Sequence, residues 1–302
     1  MHRSMKHWMA GSLLAAAAAP TTALADASAH YVPGVEGIKA ASVPPAGLYL
    51  RLYGVAYRSD DIRVDTPSGN GAIPGHTSAD VDAFVPRIIW ISDKKFLGAD
   101  FGMDALWPYE HKHIEVGPMH TSKTGMGDLY LNPVILAWHG KQYDTVFCIG
   151  YWTDVGDYHR EDPASTGQGY SNAMFTLGGT WYPDSDRRWA LSILNRYETL
   201  ASKIRHTDVT PGDNWVAEWG ISYQISPSTN IGLVGYDSWQ VERDDAPHGV
   251  PTPKDSVHAV GGQWSFHSHS LGMLFDVALY HEYDAQHHPK GNTGRVTLTI
   301  PF

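Results

Sequence analysis

The chain is built from segments of about 10 to 13 residues in which apolar positions alternate with small or polar ones. In the clearest segment, apolar side chains occupy every second position from Leu271 to Leu279, with Asp276 and Tyr280 on the opposite face. The last segment repeats this pattern from Val296 to Phe302. Successive side chains of a strand point to opposite faces, so the pattern predicts strands with one face in lipid or a core and the other in water. Twelve strands are predicted: Gly47 to Ser59, Asp80 to Ser92, Ala99 to Glu110, Asp128 to His139, Tyr143 to Val155, Asn172 to Tyr182, Trp189 to Glu198, Asn214 to Gln224, Thr229 to Val241, Ser256 to His267, Leu271 to Asp284 and Gly294 to Phe302.

The connections between these predicted strands alternate between long and short. Asp60 to Ala79, His111 to Gly127 and Ala285 to Thr293 are long, whereas Gly140 to Gln142 and Ser268 to Ser270 are short. A soluble β-sandwich has no reason to collect its long loops at one end, but an outer-membrane barrel has tight periplasmic turns and long extracellular loops. The fold class predicted is therefore all-β, a transmembrane antiparallel β-barrel of 12 strands with both termini in the periplasm.

Aromatic residues near the strand ends are candidates for the interfacial girdles of such a barrel, although core packing is the alternative for any single one. The candidates are Trp107, Tyr109, Trp138, Tyr151, Trp152, Trp181, Tyr182, Trp189, Trp215, Trp239 and Tyr280.

The first 25 residues have the features of a secretory signal peptide. Arg3 and Lys6 precede a short apolar run, and Ala23-Leu24-Ala25 supplies the small-x-small pattern at which cleavage is expected. A membrane anchor helix is the alternative, but the run is too short to span a bilayer. We therefore divide the chain into a signal peptide (1–25), an N-terminal periplasmic or lumenal segment (26–46) and an outer-membrane barrel (47–302).

Composition narrows the function classes. Only 18% of residues are charged, and removal of the signal peptide leaves 20 Lys+Arg against 32 Asp+Glu, a net charge of −12. A protein that tracks phosphates needs the opposite sign, so no nucleic-acid partner is expected. Cys148 is the only cysteine, which excludes an intrachain disulfide.

Several stretches of the mature chain are similar to a known family. They are His30 to Ala40 (HYVPGVEGIKA), Pro44 to Tyr49 (PPAGLY), Val85-Pro86-Arg87 and Gly125 to Leu129. They resemble the outer-membrane channels named meta-pathway phenol-degradation proteins, over essentially the whole chain after the signal. This chain departs from the family habit at Ala46, where a third proline is common. The resemblance implies a monomeric 12-stranded channel for uptake of small hydrophobic or aromatic molecules.

A twelve-strand barrel has a narrow lumen, because eight strands are filled by their own side chains and sixteen to eighteen leave an open pore. The alternation places candidate residues of a transport lumen on the inner face: Tyr49, Arg51, Tyr53, Arg196, Glu198, Glu218, Asp276 and Tyr280. Arg196 and Glu218 lie on adjacent predicted strands, and we expect them to approach one another as an ion pair. These charges either tune selectivity or form structural salt bridges, and the tyrosines offer stacking surfaces to an aromatic solute. Residues 26–46 either tuck into the periplasmic mouth or the lumen of the barrel, or form a flexible periplasmic tail.

Other chemistry finds little support in the sequence. The motifs HExxH, GxSxG, GxGxxG and the Walker loop are absent. His111 with His113, His267 with His269 and His287 with His288 lack a clear third ligand, so we expect no metal site and no cofactor. We expect no catalytic residues either. The alternatives are a barrel enzyme that hydrolyses or modifies acyl groups, and a structural or adhesive barrel with a filled lumen.

The chain ends on Phe302, which continues the outward series of the last strand. This residue resembles the C-terminal signal read by the barrel assembly machinery. The partners expected are a small hydrophobic or aromatic solute, outer-membrane lipid and lipopolysaccharide, and that machinery. The function predicted is passive uptake through the bacterial outer membrane.

Overall fold

The structure is a computed structural model that describes residues 29–66 and 69–302. The predicted signal peptide lies outside the described residues. The β segments are β1 Gly47–Thr66, β2 Gly69–Ala72, β3 Thr77–Phe96, β4 Ala99–Leu106, β5 Tyr109–Val116, β6 Met119–Met126, β7 Tyr130–His139, β8 Tyr143–Trp152, β9 Asn172–Trp181, β10 Trp189–Thr199, β11 Asn214–Ser226, β12 Thr229–Gln240, β13 Ser256–Ser268, β14 Met273–Gln286 and β15 Pro289–Pro301.

These fifteen segments form twelve strands of one barrel. β4 and β5 both pair with β3, and a break at Trp107-Pro108 separates them. Pro108 has no N–H to contribute to the ladder, which accounts for the interruption. β6 and β7 are likewise one strand broken at residues 127–129, and β2 only extends the tip of β1.

The sheet closes because its first and last strands pair. β1 is antiparallel to β15, with Leu50 opposite Ile300, and on its other side to β3, with Leu50 opposite Ile88. Closure removes the exposed edges that an open sheet leaves in a bilayer. The predicted all-β antiparallel barrel of twelve strands is confirmed, and residues 29–66 and 69–302 contain no helix. In particular, the described chain has no helix long and apolar enough to cross a membrane.

Several strands are longer than the sequence pattern indicated. β1 has 20 residues, about twice what a membrane crossing requires. On its outer face the apolar series ends at Arg58, whose guanidinium is 2.7 Å from the carboxylate of Asp82. Beyond that pair the strand continues into solvent, where both faces can be polar.

Three predicted loops are consequently wrong in part. Residues 111–126 form most of the hairpin β5–β6, residues 60–66 and 77–79 belong to β1 and β3, and β14 and β15 leave only residues 287–288 between them. Backbone pairing holds these extensions together, and hydrophobic alternation cannot reveal pairing between polar residues.

The two ends of the barrel differ. One end carries the short turns at 97–98, 140–142, 182–188, 227–228 and 269–272, together with the start of β1 and the end of β15. We call it the short-turn end. The opposite, long-loop end carries residues 153–171, 200–213 and 241–255 and the extended hairpins.

The outer wall is apolar, with exposed side chains such as Ile88, Leu177 and Val296. Most of the predicted girdle aromatics face outward or lie at the strand ends, but Trp152, Tyr182 and Tyr280 are buried on the inner side. Proximity to a strand end does not determine the face, which depends on the parity of the residue along its strand.

Candidate functional site

Residues 29–46 run through the interior of the barrel from the long-loop end to the short-turn end. Near the first end, Nε2 of His30 lies 3.3 Å from the carboxylate of Asp128. Near the second, the Ser42 hydroxyl donates a 2.8 Å hydrogen bond to Asp144. We call this stretch the inner segment, and it occupies the space that a lumen would otherwise offer.

Apolar side chains of the inner segment belong to the core. Ile38 packs with Val234 and Tyr280, and Ala41 packs in a second cluster beside Cys148. Full burial of one aliphatic side chain of this kind stabilises by roughly 1.5–3 kcal/mol. The hydrophobic effect therefore contributes to holding the segment inside.

Glu36 is the electrostatic centre of the interior. Its carboxylate lies 2.9 Å from Arg51, 2.8 Å from Arg87 and 2.8 Å from Arg196. Arg87 also reaches the buried Asp104 at 2.8 Å. One acid of the inner segment thus joins three arginines from three strands, and the paired charges offset the cost of burial.

The predicted ion pair between Arg196 and Glu218 does not form. Arg196 pairs with Glu36 and places its guanidinium 4.1 Å from the centre of the Tyr31 ring. Glu218 instead accepts a hydrogen bond from the Tyr31 hydroxyl and one of 3.1 Å from the Glu36 amide. The two strands are bridged through the inner segment, whose position could not be read from the strand pattern.

Glu198 also holds the inner segment through its backbone. Its two carboxylate oxygens accept hydrogen bonds of 3.1 Å from the His30 amide and 2.9 Å from the Tyr31 amide. Carboxylate acceptors satisfy N–H groups that have no ladder partner. Glu198 is therefore a side-chain anchor for an irregular backbone.

Asp276 belongs to a second polar group on β13 and β14. It accepts hydrogen bonds from Ser265 and, at 3.2 Å, from Gln263. Oε1 of Gln263 in turn accepts from the Ile38 amide at 3.1 Å and from Arg295 at 2.8 Å. Arg295, which is only 1% exposed, also donates to a carbonyl of the inner segment.

The predicted tyrosines face inward but their surfaces are occupied. Tyr49 donates to the Pro45 carbonyl at 2.9 Å, and the Tyr53 hydroxyl accepts from Arg87 at 3.2 Å. Tyr280 packs against Tyr236, and a Cβ on Gly34 would lie within 3.3 Å of both rings. Gly34, with a φ of 85°, lets the backbone cover the faces that the sequence offered to a solute.

The structure thus brings all eight lumen candidates to the interior, and each of them contacts the inner segment or one of its polar partners. Sequence reasoning missed Glu36, Arg87, Gln263 and Arg295. A signal for Glu36 was available, because it is the only acidic residue between Asp26 and Asp60. An isolated carboxylate that precedes a barrel with inward-facing arginines is a candidate partner for those arginines.

Buried polar atoms without a protein partner occur around the interior, for example on Ser222, Tyr280 and Thr297, and a larger set lies on four adjacent strands. This larger set lies on β4, β7, β8 and β9: Oδ1 of Asp104, the Tyr130 hydroxyl, Oδ1 of Asn132, Nε1 of Trp152, Oδ1 of Asn172 and the hydroxyls of Thr176 and Thr180. We call this set the polar stripe. Such atoms cost free energy unless they bond to water or to a solute. Within the described residues, no group of three or more His, Cys, Asp or Glu is placed to hold a metal ion.

A known protein family matches most of this chain. The family model described as "Putative MetA-pathway of phenol degradation" matches residues 63–298, most of the chain. The chain belongs to this family. The family resemblance noted in the sequence is thereby confirmed. No curated protein matches the chain.

Solved structures show the same fold for this phenol-degradation family member. The COG4313 outer membrane channel from Pseudomonas putida F1 superposes with a TM-score of 0.76 at 11% identity, covering 90% of this chain and 100% of the channel. The translocator domain of the autotransporter NalP from Neisseria meningitidis gives 0.50 at 10% identity, with 86% and 90% covered. The fold of this family member is therefore the closed β-barrel of the outer-membrane proteins on which it superposes.

Proposed function

We propose that the protein is a passive outer-membrane channel for small hydrophobic or aromatic molecules. The observation that carries the proposal is the inner segment. The interior is filled by a separate stretch of chain held by non-covalent contacts, so a path opens when that stretch shifts and the closed wall remains intact. No covalent chemistry is required, because diffusion down a gradient drives uptake.

The mixture of apolar and polar groups in the interior supports small hydrophobic or aromatic molecules as the proposed solutes. Aromatic rings and aliphatic clusters surround the inner segment, and the polar stripe lies along one wall. A small aromatic molecule with one hydroxyl would bury its ring among the apolar groups and satisfy one of the unpartnered atoms. The eight lumen candidates are then positioning residues for the inner segment and its surroundings.

The orientation proposed places the short-turn end in the periplasm. Both the start of β1 and Phe302 lie at that end, as is usual for barrels with an even number of strands. Phe302 is 78% exposed, and its amide donates to the Leu48 carbonyl at 2.9 Å, at the seam where the barrel closes. This exposure suits a residue read by the barrel assembly machinery. We propose a monomer surrounded by phospholipid and lipopolysaccharide.

Uptake measurements test the proposal. The initial uptake of a radiolabelled aromatic alcohol and of a sugar of similar mass is measured in cells with an intact lipopolysaccharide layer. Cells with the protein should take up the aromatic alcohol faster than empty-vector cells, with no change for the sugar. Equal rates would contradict a channel, and hydrolysis of esters or phospholipids by the purified protein without any flux would favour a barrel enzyme.

A further inference from the structure

The outer wall carries an apolar groove of about 640 Å³ that has no role in the proposed uptake path. Gly262 of β13 forms its floor and stands in register between Leu233 on β12 and Leu279 on β14. Those two leucines are 51% and 66% exposed. The groove is therefore a cleft one side chain wide, flanked by aliphatic walls, on the surface that faces the bilayer.

The cleft exists because residue 262 has no side chain. A Cβ built on Gly262 would meet nothing closer than the Gly232 carbonyl oxygen at 3.9 Å. The space is thus open and would accept additional carbon atoms without displacing the backbone. In a bilayer such a cleft must be filled, because an empty one leaves its lining without van der Waals contacts.

Aromatic rings border the groove toward the short-turn end. Trp189 and Tyr223 lie side by side with ring centres 4.8 Å apart, and Trp264 stacks at 5.8 Å on Phe266. Trp and Tyr concentrate at the level of lipid headgroups. The groove therefore runs from the headgroup level toward the middle of the membrane.

An arginine lies at the same border. The guanidinium of Arg188 is 4.8 Å from the centre of the Tyr223 ring and donates a 3.3 Å hydrogen bond to the Gln224 carbonyl. The side chain is exposed, and the carboxylate of Asp184 accepts from its backbone amide at 2.8 Å. A guanidinium presents further N–H donors in a fork that matches a phosphate.

We propose that this groove is a binding site for one phospholipid, with an acyl chain along Gly262 and its phosphate on Arg188. The choice of phospholipid rests on the proposed function, which places the short-turn end at the periplasmic leaflet. An anionic headgroup supplies the negative charge that pairs with the Arg188 guanidinium. The open space above Gly262 admits a thin, flexible acyl chain.

Native mass spectrometry of the full mature protein tests the site, with phosphatidylglycerol as the probe. The wild type should retain one phosphatidylglycerol through detergent washing. Gly262→Phe fills the cleft and should lower retention by at least about tenfold, the equivalent of losing roughly two buried methylenes. Arg188→Gln keeps the cleft and should lower retention of phosphatidylglycerol more than that of zwitterionic phosphatidylcholine, whose own ammonium offsets the charge of its phosphate.

Gly54→Phe is the matched control. Gly54 also faces outward, has nothing within 4 Å of a Cβ, and lies on β1 away from the groove. This variant should retain lipid as the wild type does. Circular dichroism of each variant shows whether the β-barrel has formed.

Three results would overturn the proposal. They are unchanged retention by a folded Gly262→Phe, equal loss in Gly54→Phe, and displacement of phosphatidylglycerol by lipid A, which would make the groove a lipopolysaccharide site. Measuring uptake of the aromatic alcohol by the same protein distinguishes a failure of the lipid site from a failure of the proposed channel. Uptake with no retained lipid contradicts the lipid site alone, and retained lipid with no uptake contradicts the channel alone.

Discussion

Arg196 of the barrel wall donates a 2.8 Å hydrogen bond to Glu36 of the inner segment, across 160 residues of sequence. Both side chains are buried, with Glu36 7% and Arg196 7% exposed. A strand in the wall and the chain that fills the interior are therefore tied by a charge pair shielded from water. This tie is one of three that converge on the same carboxylate.

Removing that carboxylate should release the inner segment. Glu36→Ala leaves the positive charges of Arg51 and Arg196 without their shared partner, and breaking a buried pair costs about 3–5 kcal/mol. We expect faster hydrogen exchange at residues 29–46 with the barrel strands still protected. Asp208→Ala, which removes an exposed carboxylate paired with Lys203, should change nothing. Equal protection in wild type and Glu36→Ala would show that packing and the other hydrogen bonds hold the segment without this carboxylate.

Locking the inner segment should stop uptake. The Cβ of Ala41 lies 3.0 Å from a Cβ built on Gly178, against the roughly 3.5–4.5 Å of a disulfide. That Cβ would also lie 2.8 Å from the Ile193 carbonyl oxygen, so β9 and the inner segment must both move apart slightly for the bond to form. In a Cys148→Ala background, Ala41→Cys with Gly178→Cys should take up the aromatic alcohol slowly when oxidised and recover after reduction. Either cysteine alone is the control. Identical rates in both redox states would mean that solute passes a stationary segment.

Loss of the terminal aromatic ring should reduce assembly. Phe302 is exposed at the seam of β1 and β15, and its side chain makes little packing contribution to the folded barrel. We expect Phe302→Ala to lower the amount of folded protein in the outer membrane severalfold, measured by fractionation. The thermal stability of the purified, refolded variant should match the wild type. A matching drop in stability would assign Phe302 a structural role instead.

The hairpin β5–β6 should lose stability in acid. Hydrogen bonds from His120, His113 and His76 hold the pKa of Glu115 below its usual value. A carboxyl with a lower pKa in the folded state contributes stability above about pH 4.3, its ordinary pKa, and that contribution is lost as the pH falls through the lowered value. Hydrogen exchange at residues 111–124 should accelerate over that window. In Glu115→Gln this acid-dependent step should be absent, and its persistence there would exclude Glu115 as the cause.

Alternation along the chain was sufficient to predict much of this protein. Strict inside–outside parity in β10 and β14 assigned Arg196, Glu198 and Asp276 to the interior, because a strand side chain has only two directions. The apolar series predicted the twelve membrane-crossing segments, because only side chains in contact with lipid must be apolar. Where both faces meet water, as in β5 and β6, the pattern ended before the strand did.

Only the tertiary structure decided what occupies the barrel and which charges meet. Residues 30 to 45 have no repeating pattern, so nothing in their order predicts that Glu36 joins Arg51, Arg87 and Arg196, or that Tyr31 separates Arg196 from Glu218. Parity specifies a direction for each side chain but not its partner across a closed interior. Those partners follow from ring closure, which brings distant strands around one short segment, and from the free energy of pairing charges that closure buries.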